Sequence, residues 1–126
     1  LLHKKLMEQK TLFFEPDYDQ LFYDDESGIS YYDSIYLSED KQIELNIDIP
    51  GLHDWLNTYI DEVLIPCEAG KITLEELNKH FDWKAFHEQG LKLAKEIKKQ
   101  LPDFITLKYR GPFEDHSGII KEDVEV

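Results

Sequence analysis

The sequence predicts an α+β domain: an antiparallel sheet of about five strands with three helices packed on one face. Three observations carry this. Gln42-Ile43-Glu44-Leu45-Asn46-Ile47-Asp48-Ile49 alternates polar and apolar residues without a break, the period of a strand with one buried and one wet face. Pro50-Gly51 stops that strand, and Leu52, Trp55, Leu56, Tyr59, Ile60, Val63 and Leu64 then recur at helical spacing, an amphipathic helix with one apolar stripe. A second stripe follows in Trp83, Phe86, Gly90, Leu93, Ala94, Ile97 and Leu101.

Taken in order, Leu1–Gln9 fits either a first strand or a frayed tail, since Lys4 and Lys5 interrupt its apolar residues. Thr11-Leu12-Phe13-Phe14 is a short run of β-formers closed by Pro16-Asp17, which is turn chemistry. Gln20–Tyr23 is another such run, and Asp24-Asp25-Glu26-Ser27-Gly28 suits a hairpin loop. Ile29–Leu37 reads as one further strand, Ser38-Glu39-Asp40 as a turn, and Gln42–Ile49 as the central strand of an antiparallel meander. Pro66 is expected to end the helix of Leu52–Ile65. Thr73-Leu74-Glu75-Glu76 has the form of a capping box opening a short helix to about Phe81. Asp82 can cap the helix of Trp83–Leu101, which Pro102 stops. Gly90, costly inside a helix by about 1 kcal/mol, points to close approach to the sheet. Phe104–Tyr109 returns as a strand, and Ile119-Ile120 in the acidic tail is placed to dock or pair at an edge.

A chain of 126 residues makes one domain, with a strand-rich half at about 1–49, a helical part at about 52–101, a final strand at about 104–109 and an acidic tail. That length buries roughly two-thirds of the unfolded surface and folds without staples. The lone Cys67 excludes an internal disulfide framework. No apolar run approaches the ~18 residues of a membrane span, and the Lys-containing N-terminus lacks the apolar region of a signal peptide. The expectation is a soluble, cytoplasmic protein that engages neither membrane nor nucleic acid directly.

Charge is the least ordinary property. The chain carries −13, and Glu15–Glu68 holds fifteen acids against the single base Lys41, a local balance of −14. Lys71–Arg110 has nine bases and six acids, a balance of +3. An acidic pole repels phosphates and attracts a basic protein or a cation.

Catalytic and metal chemistry find no motif. His80 and His87 lie seven apart with Phe81-Asp82 between them, and Asp17-Tyr18-Asp19 lacks the glycine and glutamate of an EF-hand loop. Cys67 sits beside Pro66 without a partner histidine in a recognisable context, and the six glycines are scattered singly. The expectation is no enzyme, no catalytic residue, no metal and no cofactor. What remains is compositional. Five of the seven tyrosines, Tyr18, Tyr23, Tyr31, Tyr32 and Tyr36, lie in the acidic half. Tyrosine suits interfaces through its large stiff ring and polar tip. The alternative is that these rings alternate into the core and the acids are only wet loops. The partner-binding residues expected are Asp17, Tyr18, Asp19, Tyr23, Asp24, Asp25, Glu26, Tyr32, Asp33, Tyr36, Glu39 and Asp40. Reversing Asp24, Asp25 and Glu26 together to Lys is expected to slow capture of a basic partner without much loss of stability.

The segment Trp83–Gly118 resembles small bacterial proteins of toxin–immunity loci. The resemblance rests on Trp83, Phe86, Gly90-Leu91, Leu93-Ala94, Leu101-Pro102, Tyr109 and Pro112-Phe113-Glu114-Asp115 followed by Ser117-Gly118. It implies an immunity protein of a contact-dependent or related polymorphic toxin system, non-catalytic, which neutralises a cognate toxin domain, frequently a basic nuclease, by tight binding. Toxin contacts in such proteins follow no shared motif, so the resemblance assigns no site residue here. Two further readings stay open: an acidic nucleic-acid mimic or adaptor that occupies a nucleic-acid-binding protein, and a metal-dependent enzyme with a site built from scattered acids.

Overall fold

The computed structural model describes residues 9–38 and 40–126. The reading of Leu1–Gln9 therefore lies outside the described residues except at Gln9, as does Glu39. The elements run β1 (Lys10–Phe14), β2 (Phe22–Asp24), β3 (Ile29–Tyr31), β4 (Ser34–Tyr36), β5 (Glu44–Asn46), α1 (Leu52–Tyr59), a π-helical turn (Ile60–Leu64), α2 (Ile65–Glu68), α3 (Leu74–His80), α4 (Trp83–Gln100), β6 (Ile105–Tyr109) and β7 (Val124–Glu125). The class is α+β.

The sheet is mixed, not antiparallel. Five strands lie in the order β3-β2-β1-β6-β7, and β1 pairs parallel with β6, Leu12 opposite Leu107 and Phe14 opposite Tyr109. The other neighbours in the sheet are antiparallel. The strand at the centre is β1, not the Gln42–Ile49 segment. Its Leu12, Phe13 and Phe14 are all buried, as an unbroken apolar run requires when a strand is covered on both faces. Arg110 lies over the Phe13 ring with Cζ 3.8 Å from the centroid, while Phe14 packs against Trp55 of α1 at 5.0 Å and Tyr109 at 5.7 Å.

The expected single strand Ile29–Leu37 breaks at Tyr32-Asp33, and its second part turns away to form a separate two-stranded sheet, β4 with β5. The alternation of Gln42–Ile49 is real as burial, with Ile47 and Ile49 in the core and Glu44, Asn46 and Asp48 exposed. Only Glu44–Asn46 is strand, however. A face that stays wet is affordable at the periphery and wasteful at the centre of a covered sheet. The edge of the main sheet is closed by β7; Ile119 is exposed and Ile120 packs half-buried against the core, neither in a strand.

Pro66 does not end the first helix. The Ile65 N–H donates to the Ile60 carbonyl, five residues back, and the chain continues helically to Glu68. A proline inside an α-helix removes one bond and clashes with the carbonyl four residues before it. The wide turn immediately upstream makes room for the ring, and Pro66 then occupies the first turn of α2, where its missing N–H costs nothing.

The other helix boundaries follow their caps. Thr73 Oγ1 accepts from the Glu76 N–H at 3.1 Å and the Glu76 carboxylate accepts from the Thr73 N–H at 3.3 Å, a complete capping box. Asp82 accepts from the Ala85 N–H at 2.9 Å at the start of α4. Trp55 and Trp83 are both buried, as the beginning of each apolar stripe requires. Gly90 lies against Tyr109 of β6 so closely that a Cβ there would stand 2.5 Å from the tyrosine Oη. The expectation of close approach to the sheet is met by one named ring.

Candidate docking surface

The acidic half presents one surface on which exposed tyrosines and carboxylates converge. After β1, Pro16 is buried and the chain reverses through Asp17–Gln20, with the Asp17 N–H donating to the Gln20 carbonyl at 3.2 Å and the Tyr18 N–H to Asp17 Oδ1 at 2.7 Å. This tight turn holds Tyr18 outward, 60% exposed. The break between β3 and β4 does the same for Tyr32, 40% exposed. Tyr18, Asp19 and Tyr32 meet Leu56, Asn57 and Ile60 around a groove of about 430 Å³. A second hollow of about 270 Å³ lies along Tyr31, Tyr32, Asp33 and Tyr36, so Tyr32 stands between the two. Its hydroxyl is hydrogen-bonded to His53 Nδ1 at 2.7 Å, and His53 Nε2 lies 3.6 Å from the Asp33 carboxylate. Those contacts fix the ring of an exposed side chain before any partner arrives, which lowers the entropy lost on binding.

The structure separates the twelve residues expected at a docking face. Asp17, Tyr18, Asp19, Tyr32 and Asp33 share the surface just described. Tyr36 reaches it from β4, with Lys41 Nζ 5.7 Å from its ring centroid and Tyr31 edge-on at 5.9 Å. Tyr23 is half-buried in β2. Asp40 is used in its own turn, accepting from Ser38 Oγ at 2.6 Å and from the Gln42 N–H at 3.1 Å. Glu39 lies outside the described residues. Asp25 and Glu26 are exposed in the β2–β3 turn, with Asp25 3.9 Å from Arg110.

Asp24 is the clear correction. It is buried, paired with Lys10, and accepts from Ser27 Oγ at 2.8 Å and the Glu26 N–H at 3.0 Å. Burial pushes its carboxyl up, but the hydrogen bonds from Lys10, Ser27 and the Glu26 amide outweigh it and hold the group below the ordinary value. A lysine here would face the partly buried Lys10 ammonium. Reversing Asp24 with Asp25 and Glu26 would therefore destabilise the hairpin, and a test of surface charge has to use the exposed Asp19 and Asp61 instead.

The acidic count also overstates the charge of this region. Glu15 is half-buried, and desolvation, opposed by Arg110 and reinforced by Asp17, Asp123 and Asp25, raises its carboxyl from 4.5 to about 7. The unfolded chain ionises this group near 4.5 while the fold keeps it protonated towards 7. Between those values the folded state binds the extra proton, so its contribution to stability falls as pH rises and the loss is complete above about 7. Glu15→Gln should therefore stabilise the protein at pH 8 by about 1 to 2 kcal/mol, less than the full linkage value because the carboxyl keeps some solvent. It should leave stability at pH 4 nearly unchanged. Urea melts at the two pH values check this; an equal effect at both would remove the titration as the cause.

Helix α1 and the π-helical turn that continues it supply the part of the surface that the strand-based reading missed. His53, Asn57 and Ile60 contribute to it, and no Lys or Arg occurs between Lys41 and Lys71. The signal available was the wet face of the first helix, which carries Asp54, Asp61 and Glu62 without a balancing base.

The other cluster of chemical side chains is enclosed. His87 Nδ1 is hydrogen-bonded to the Tyr109 hydroxyl at 2.7 Å and Nε2 to Asp115 at 2.6 Å, with Trp83 stacked on the imidazole. Both His87 and Tyr109 are buried. Next to it, Tyr59 donates to the buried Glu114 at 2.8 Å, and Asn78 bonds the Glu114 carbonyl and the His116 N–H. These contacts fasten the segment after β6 onto α1, α3 and α4. They explain why Glu114-Asp115, acids in a tail, are not solvated. Among the described residues no three His, Cys, Asp or Glu side chains gather as a metal-ligating set, and no helix is long and apolar enough to cross a membrane. No family model, curated protein or solved structure matches the chain.

Proposed function

We propose that this chain is a non-catalytic binding protein that captures a basic protein partner, and that it acts as a bacterial immunity protein, neutralising a toxin domain of the nuclease kind in the cytoplasm by forming a tight complex. The observation that carries the reading is the convergence of Tyr18 and Tyr32 with Asp19 on one groove beside a helix that bears acids and no lysine or arginine. Nuclease domains are basic where they hold phosphates, and an acidic surface can cover that ground. Carboxylates around such a groove steer a basic surface into encounter, while the rings and the apolar side chains beneath them determine how long it stays.

The test places a photo-crosslinking phenylalanine analogue at Tyr18, and separately at Lys95 on the lysine-bearing face of α4, in bacterial cells that make the protein. The reading expects one dominant adduct at position 18, with a basic protein that kills the host when expressed alone and is harmless when co-expressed with this chain. An adduct formed only at position 95, or a partner whose activity the chain leaves intact, would contradict it.

A further inference from the structure

On the opposite flank of α1 from the tyrosine groove lies a cavity of about 650 Å³, between that helix and the start of α4. Successive residues are about 100° apart in an α-helix and somewhat less in the π-helical turn of Ile60–Leu64 that continues it. Asp54, Thr58 and Glu62 therefore project to one side of the exposed ridge formed by His53, Asn57 and Asp61, while Leu56 and Ile60 project to the other. The floor is aromatic. Trp55 and Phe86, stacked on each other at 4.6 Å, are buried beneath it, and of the three rings only Phe81, half-buried and edge-on to Phe86 at 5.7 Å, is open to the cavity. The rim carries Asp54, Glu62 and Asp82 together with His80, and no lysine or arginine among the described residues lines it. Asp82 already accepts one hydrogen bond as the cap of α4. Asp54 and Glu62 are in no ion pair among the described residues.

An apolar groove with one partly open ring, Phe81, inside a rim of carboxylates is complementary to a planar cation. A guanidinium can lay its plane against the half-buried Phe81, donates charge-assisted hydrogen bonds to carboxylates, and is more weakly hydrated than an ammonium, so it loses less on entering such a groove. We infer that this cavity receives an arginine side chain of the basic partner, making it a second anchor point of the same complex. The inference rests on the proposed binding function. It places the α1 ridge at the middle of the interface, with the tyrosine groove on one flank and the arginine groove on the other.

The test needs no knowledge of the partner. The isotope-labelled protein is titrated with the capped tripeptide Ala-Arg-Ala, with its citrulline counterpart, with Ala-Lys-Ala and with spermidine, and amide and indole shifts are followed by NMR. The arginine peptide is expected to give saturable shifts at Phe81, Ala85, Gln89 and the Trp55 indole. Binding should be at least ten-fold weaker for the citrulline peptide and at least three-fold weaker for the lysine peptide. Asp54→Asn with Glu62→Gln, both exposed and safe for the fold, should weaken the arginine peptide at least ten-fold. Equal binding of the citrulline peptide, shifts elsewhere on the surface, or no saturation would overturn the arginine site. Tighter binding of spermidine would make the occupant a free polyamine and overturn it as well. Failure here leaves the tyrosine surface untouched, because the crosslink at position 18 reads that surface separately.

Discussion

Replacing Gly90 by Ala is expected to destabilise the protein by about 2 to 3 kcal/mol, although alanine favours a helix over glycine by about 1 kcal/mol. The added methyl would stand 2.5 Å from the Tyr109 Oη and 2.8 Å from two of its ring carbons. Tyr109 is completely buried, hydrogen-bonded to His87 and packed against Phe14 and Trp55. A ring held on all sides cannot swing away as a flexible chain end would, so α4 has to lift from β6 or the His87 hydrogen bond has to break. Overpacking of this kind costs about 1 to 3 kcal/mol and occasionally more. Gly111→Ala is the comparison. A Cβ there would meet His87, Ile120 and Asp115 no closer than 3.6 Å, and stability should stay within about 1 kcal/mol of the parent. Chemical denaturation of the two variants decides the matter; Gly90→Ala as stable as the parent would show that the helix and sheet are not in the contact described.

The largest functional effect is expected from Tyr18→Ala combined with Tyr32→Ala. Each ring offers broad contact area at low entropic cost, and interface tyrosines of this kind lose about 2 kcal/mol or more when truncated. Affinity for the partner should fall by roughly two orders of magnitude or more, almost all of it as faster dissociation. The melting temperature should move little, because both side chains are exposed and neither belongs to the core. Tyr36→Ala should act differently. Tyr36 is half-buried against Tyr31 and Lys41, so its loss should be felt in stability as well. Surface plasmon resonance beside thermal melts separates the two outcomes, and unchanged affinity in the double variant would remove the tyrosines from the interface.

Much of the fold was readable because it is local. Helix stripes, the capping box, the Asp82 cap and the packing meaning of Gly90 each depend on a few neighbouring residues, and each appears as read. The errors share a cause: they concern which distant segments meet. Strand orientation leaves no trace in a five-residue run, so the parallel pairing of Lys10–Phe14 with Ile105–Tyr109 across most of the chain was invisible. The run Leu12-Phe13-Phe14 did hold the clue to the centre of the sheet, since only a strand covered on both faces is apolar at successive positions. The clean alternation of Gln42–Ile49 marked a peripheral strand for the same reason. Pro66 misled because its effect on a helix depends on the width of the turn before it.

The candidate surface was legible to a similar degree. Tyr18 and Tyr32 are exposed because tight turns hold them out, whereas Tyr31 is in the core one residue away from Tyr32. Period alone cannot say which of two adjacent tyrosines faces out when the strand breaks between them. Asp24 looks like its neighbours Asp25 and Glu26 in sequence, yet it lies under the hairpin because Lys10, fourteen residues earlier, is there to neutralise it. The contribution of α1 required the fold, since only three-dimensional packing brings the helix beside the Asp17–Gln20 turn.

The central claim is that carboxylates on this face guide a basic partner to it. The measurement that bears on it most directly is the association rate constant of the crosslinked partner, by stopped flow, at about 50 mM and about 500 mM salt, for the parent and for Asp19→Lys with Asp61→Lys, both exposed. Screening shortens the reach of exposed charges from above ~10 Å to a few ångströms over that range. The account predicts a fall of at least several-fold on raising salt, a similar fall on reversing the two charges, and little further salt dependence in the variant. Association indifferent to both salt and charge reversal would contradict it and leave the acids as solvated surface only.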